Sequence, residues 1–168
     1  MENKFTFTES FIQKAIRKSY VQHSKYVVEN IFVFDWECDV FILKPNGYCI
    51  EFEIKTTKAD FKNDAKKVDK HNKIKNVNEI ECANKFYYVV PENIILKENV
   101  PEYSGLIYVK ENKNLIIVKP APFIHKEKID FEKRLCPKFY ARWINSKYEA
   151  INLNYQLEKI KKDENTIL

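Results

Sequence analysis

The chain has 168 residues, of which 45% are hydrophobic and 32% charged, with two glycines and a formal net charge of +5. That composition fits one globular domain with a real core and leaves no room for a long flexible linker. No run approaches the roughly 18 apolar residues a membrane helix needs. The start, Met1-Glu2-Asn3-Lys4-Phe5, lacks the apolar core of a signal peptide, so a cytoplasmic protein with no membrane partner is expected.

The four cysteines, Cys38, Cys49, Cys82 and Cys136, form no Cys-x-x-Cys pair, and the three histidines are scattered. Spacing therefore gives a structural zinc site no support, and reduced thiols are expected. The positive balance is mostly lysine, with Arg17, Arg134 and Arg142 the only arginines; it permits a polyanionic partner without demanding one.

Thr8 or Ser10 can cap a first helix running to about Tyr20, and Phe11, Ile12, Ala15, Ile16 and Tyr20 recur at helical spacing to give it one apolar face. Strands are predicted from about Tyr26 to Phe34, from Cys38 to Lys44 and from Tyr48 to Lys55, the last two joined by the turn residues Pro45-Asn46-Gly47. The charged stretch from Ala59 to about Lys73 has no β-branched run and reads as a helix, with Asp60 near its start. Lys85 to Val90 is a strand closed by Pro91. Gly105 to Lys110 and Leu115 to Lys119 read as a hairpin around Glu111-Asn112-Lys113-Asn114, and a last helix runs from about Lys138 to Lys162. The order is that of an α/β domain: a mixed sheet with helices packed on it.

The central hairpin carries the chemistry. A two-residue loop at Asn46-Gly47 would pair Asp39 with Ile54 and set a charge on the apolar face of Ile50, Phe52 and Ile54. A three-residue loop at Pro45-Asn46-Gly47 pairs Lys44 with Tyr48 and puts Asp39 opposite Glu53. The faces then sort: Val40, Ile42, Ile50, Phe52 and Ile54 on one, and Asp39, Phe41, Leu43, Cys49, Glu51, Glu53 and Lys55 on the other. Opposed residues have Cβ atoms about 4.5–5.5 Å apart, so two facing carboxylates repel unless a proton or cation lies between them. A Mg²⁺ ion would resolve this. Lys55, two residues beyond Glu53, points the same way. It can stabilise charge developing on a phosphate, or orient and deprotonate a water. The bland alternative is a solvated strand face, on which Glu51, Glu53 and Lys55 form an ordinary charge ladder. Asp35 and Glu37 flank Asp39 at period two as substitute ligands.

Asp39 followed after a turn by Glu53-Ile54-Lys55 resembles the PD-(D/E)xK nuclease signature, with Cys38 where proline is frequent. The run from Glu51 to Asp64 (Glu-Phe-Glu-Ile-Lys-Thr-Thr-Lys-Ala-Asp-Phe-Lys-Asn-Asp), Lys66, Lys67, Lys70 and His71 after it, and the stretches Phe86–Pro91 and Gly105–Val109 look like phage and bacterial proteins of that superfamily, including the MmcB-like DNA repair group. The resemblance covers roughly residues 5 to 125. It implies a restriction-endonuclease-like α-β-β-β-α-β core over residues 1–125, with an extra β-hairpin. Residues 126–168 are then a C-terminal helical extension packed on the same domain. It also implies Mg²⁺ or Mn²⁺ held by Asp39, Glu53 and the Ile54 carbonyl, with Lys55 in catalysis. Some members add a first-helix carboxylate, for which Glu9 is the candidate; a helix-start Glu also serves simply as a dipole partner.

Lys58, Lys66, Lys67, Lys70 and His71 are candidate nucleic-acid contacts beside the site, although interleaved Asp60, Asp64 and Asp69 also suit a solvated helix face. Phe139, Tyr140, Trp143, Tyr148 and Tyr155 among basic residues can stack on single-stranded bases, but packing of the helix onto the domain is the preferred reading. The expected protein is a metal-dependent nuclease acting on DNA rather than RNA, in DNA repair or phage DNA metabolism. A dimer is compatible with it. A non-catalytic nucleic-acid-binding module and a protein-interaction factor are the alternatives.

Overall fold

The computed structural model describes residues 5–76, 81–128 and 130–166; the first four residues, part of the start read above, lie outside that set. Helix α1 (Glu9–Tyr20) begins where expected, because the Thr8 hydroxyl accepts the Phe11 amide at 3.2 Å. Ile12, Ala15 and Ile16 are its fully buried face. Strands β1 (Tyr26–Phe32), β2 (Glu37–Leu43) and β3 (Cys49–Ile54) then run antiparallel in succession.

The β2–β3 turn takes the three-residue form. Lys44 N donates to Tyr48 O at 2.8 Å, Gly47 N donates to Lys44 O at 3.0 Å, and Gly47 sits at φ +84°, which glycine adopts without a Cβ clash. The register runs from Leu43–Cys49 to Val40–Phe52, so one step further Asp39 faces Glu53.

The charged segment after β3 differs from the single helix expected. It forms α2 (Lys58–Asp64), capped by the Thr57 hydroxyl on the Asp60 amide, and α3 (Val68–Lys75). No proline or glycine marks the break. Tight turns replace the helical ladder there, Lys66 N donating to Asn63 O and Lys67 N to Asp64 O. The Asp64 carbonyl and carboxylate are also held by side chains beneath, as described below, and the chain bends around that anchor.

Strand β4 (Lys85–Pro91) lies parallel to β3, β5 (Ser104–Val109) parallel to β4, and β6 (Leu115–Lys119) antiparallel to β5, giving six strands in sequence order. The result is an α/β fold with a six-stranded mixed sheet flanked by helices. Its inner strands β4 and β5, parallel to each other, are buried almost throughout, as parallel strands covered on both faces are.

One face packs Val40, Ile42, Phe52, Ile54, Val89 and Ile107 against α1. The other carries a second apolar cluster of Phe86, Tyr88, Val90, Leu106 and Tyr108 with Ile74 of α3. The face of Glu51, Glu53 and Lys55 is therefore covered, not solvated: these residues are 0%, 1% and 6% exposed.

The chain divides into two compact units, residues 1–129 and 130–168. The second is α4 (Phe131–Thr166), longer than the predicted helix, and its Tyr140, Trp143, Tyr148 and Tyr155 are exposed. Among the described residues no helix is long and apolar enough to cross a membrane, and all four cysteines are free thiols, buried except Cys136.

A candidate active site on a buried charge network

Asp39 lies near the start of β2, half-buried. Its Oδ2 accepts the Ile54 amide at 2.6 Å, a bond that takes over where the backbone ladder stops. Burial, and after it the charge of Glu53, pushes the Asp39 carboxyl up to about 7, against the opposing pull of the Ile54 bond and Lys55. From the α1 side Gln13, itself buried, donates through Nε2 to the Asp39 carbonyl (3.2 Å), Asn30 Oδ1 (2.6 Å) and Glu9 Oε1 (3.0 Å). Asn30 stands at φ +49°, a left-handed position that Asn tolerates better than most residues. Glu9 thus shares the Asp39 corner, although its side chain is exposed.

Glu53 is the hub. Its Oε1 takes Lys55 Nζ at 2.7 Å and Lys67 Nζ at 2.9 Å, and its Oε2 takes Lys70 Nζ at 2.5 Å. Lys70 also reaches Glu51 Oε1 at 2.7 Å, to which the Trp36 indole donates at 2.9 Å. Burial raises the Glu51 carboxyl, with Lys70 opposing, and Glu51 Oε2 has no hydrogen-bond partner among the described residues.

Lys55 is held a second time, by Asp64 Oδ1 at 3.2 Å. Asp64 in turn accepts Tyr88 OH at 2.7 Å, and its carbonyl lies 3.0 Å from His71 Nε2, while Tyr103 OH meets His71 Nδ1 at 2.7 Å. Burial would raise Asp64, but its bonds with His71 and Tyr88 and the charge of Lys55 hold it well below the usual carboxylate range. Burial would likewise lower Lys55, yet Glu53 and then Asp64 keep its ammonium raised, so it is a charged group, not a free base.

The expected residues Asp39, Glu53, Ile54 and Lys55 are therefore together. Lys67 joins them directly, and it lines with Lys66 and Asp39 a cleft of about 870 Å³. Lys58 is exposed at the start of α2, outside that lining. Lys70 and His71 turn inward, 5% and 8% exposed, because buried carboxylate and carbonyl groups bind them. That is a different situation from the solvent-facing phosphate contacts expected of them.

Asp35 and Glu37 are exposed at the cleft wall, and Asp35 pairs with Lys73. Gln13, Trp36, Glu51, Asp64 and Tyr88 were not singled out as site residues. A signal was available for Glu51, which stands at period two from Glu53 on the same face. None was available for the others, whose links to the site join distant positions: Gln13 to Asp39, Trp36 to Glu51, Asp64 to Lys55 and Tyr88 to Asp64 are 26, 15, 9 and 24 residues apart.

The donor set suits a hard divalent cation. Asp39 and Glu53 stand in register on adjacent strands, and the charge of one opposes ionisation of the other. Among the described residues no three His, Cys, Asp or Glu side chains form a ready cage. An ion here would rest on two carboxylates, the Ile54 carbonyl and water, a sparse protein shell of the kind Mg²⁺ accepts.

No family model and no curated protein matches the chain. Among solved structures it is similar to SPO1766, a protein of unknown function from Silicibacter pomeroyi, at 20% identity over 84% of this chain and 88% of that one, with a TM-score of 0.58. That similarity is one of fold.

Proposed function

We propose that the chain is a metal-dependent nuclease with a restriction-endonuclease-like core of the PD-(D/E)xK kind, hydrolysing phosphodiester bonds in DNA. One observation carries the reading: Asp39 and Glu53 face each other across β2 and β3, with the Lys55 ammonium 2.7 Å from Glu53, beside a cleft walled by Lys66 and Lys67. The element order from α1 through β4 agrees with such a core. DNA is favoured over RNA, and DNA repair or phage DNA metabolism as the setting, through the resemblance of the run from Glu51 to Asp64.

Asp39, Glu53 and the Ile54 carbonyl would hold Mg²⁺ or Mn²⁺, which supplies Lewis acidity toward the phosphoryl oxygen and lowers the pKa of a bound water. Lys55 stays charged and donates toward the phosphate as negative charge grows there. Asp64 helps fix the direction of Lys55, since its Oδ1 is a second carboxylate oxygen on the same ammonium. Lys66 and Lys67 neutralise backbone phosphates at the cleft wall without reading sequence.

The test is cleavage by Glu53→Gln and Lys55→Met against wild type, with DNA binding measured in parallel. Loss of at least about 10²-fold in rate with binding retained is the expected result. Wild-type cleavage by either variant sinks the reading.

A further inference from the structure

Glu53 is the proposed ion ligand whose two oxygens are already taken, and the three ammoniums that take them are not equivalent. The Lys55 and Lys70 side chains are 7% and 4% exposed and locked between buried acids. The Lys67 side chain is 52% exposed, reaching Glu53 Oε1 at 2.9 Å and Asp64 Oδ1 at 3.2 Å from the turn that precedes α3. Withdrawing Lys67 breaks a half-solvated pair; withdrawing either of the others strands a charge in the interior.

Charge repulsion points to the same residue. A dication on Asp39 and Glu53 would repel the ammoniums that already sit on Glu53, and Lys67 is the one of the three with a solvent-exposed side chain that can leave without stranding a charge in the interior. Lys67 also has somewhere to go, because it lines the cleft shared by Asp39 and Lys66, where a polyanionic backbone would lie.

Resting on the nuclease reading, we propose that Lys67 is a displaceable counter-ion that couples ion binding to substrate binding. It occupies Glu53 Oε1 while the cleft is empty. A nucleic-acid phosphate draws it away and frees, for the divalent cation, one of the two contacts on that oxygen, Lys55 keeping the other. Cation and nucleic acid then bind cooperatively, each raising the affinity of the other by the same factor. The device keeps the ion loosely held until a phosphodiester is in place.

The experiment is Mn²⁺ binding by electron paramagnetic resonance on the full chain, with and without a phosphorothioate single-stranded DNA that resists cleavage. Wild type, Lys67→Met and Asp39→Asn are compared, after circular dichroism has established that each is folded. DNA is expected to tighten Mn²⁺ binding to wild type by about tenfold. Lys67→Met should bind Mn²⁺ about tenfold more tightly than wild type without DNA, and gain less than about twofold from it.

Wild-type affinity and an undiminished DNA effect in Lys67→Met overturn the coupling while leaving the nuclease reading in place. If Asp39→Asn binds Mn²⁺ as wild type does, no ion rests on Asp39, and both the coupling and the reading fall.

Discussion

Lys70 offers the sharpest energetic test of the buried network. Its Nζ lies 2.7 Å from Glu51 Oε1 and 2.5 Å from Glu53 Oε2, over the rings of Trp36 and Phe86 at 5.6 and 5.1 Å. Lys70→Met keeps the stem and its apolar contacts and removes the charge. Glu51, 0% exposed, then loses its ammonium partner, and Glu53, 1% exposed, keeps Lys55 and Lys67.

Removing one member of a buried ion pair costs about 3–5 kcal/mol, a large share of a typical total of about 5–15 kcal/mol. The loss also depends on pH. Burial already raises the folded-state Glu51 carboxyl, and without Lys70 it rises further. A group whose folded pKa lies above its unfolded value contributes fully below the unfolded pKa and loses that contribution as pH rises through the folded one. The variant should therefore be hurt more at pH about 8 than at about 5. Urea unfolding followed by circular dichroism reads both. The double variant Lys70→Met/Glu51→Gln removes the stranded charge and should recover at least about half the loss. A cost below about 1 kcal/mol at pH about 8, or no recovery in the double variant, refutes the reasoning.

Asp39, raised from 3.8 to about 7, contributes to metal-free stability fully below its unfolded value and loses that contribution as pH rises through about 7. Relative to Asp39→Asn, the metal-free wild type should lose at most about 4 kcal/mol over that window, read as the difference between two urea series; parallel pH profiles contradict this. Asp64→Asn keeps the side-chain shape but loosens Lys55, so the cleavage rate should fall about 10–100-fold with KM nearly unchanged; a loss confined to KM counts against a positioning role. At Gly105 a Cβ would come within 2.3 Å of the Tyr87 ring and 2.7 Å of the Ala121 backbone nitrogen, so Gly105→Ala should cost about 1–3 kcal/mol or more; an unchanged melting temperature would show that the close approach relaxes freely.

The hairpin was legible because turn chemistry and alternation agree. Pro45-Asn46-Gly47 permits the three-residue loop, and only that loop keeps Val40, Ile42, Phe52 and Ile54 on one face. The covering of the opposite face was not legible. Glu51, Glu53 and Lys55 alternate like a half-exposed strand, and what buries them comes from α2 and α3, up to 19 positions further along. In sequence Lys70 and His71 look like their exposed neighbours Lys66 and Asp69, because a lysine that pairs with a buried acid carries no local mark. The helix break at Ala65–Lys67 was hidden for the same reason: it depends on what Asp64 binds, not on a breaker residue.

The most direct measurement is cleavage of single-stranded and duplex DNA by the wild-type chain with Mg²⁺, with Mn²⁺ or with EDTA, alongside Lys55→Ala. Cutting that requires the metal and is lost in Lys55→Ala is the expected result. A wild-type chain that binds DNA but never cuts it, or cuts it equally well in EDTA, contradicts a metal-dependent nuclease built on Asp39, Glu53 and Lys55.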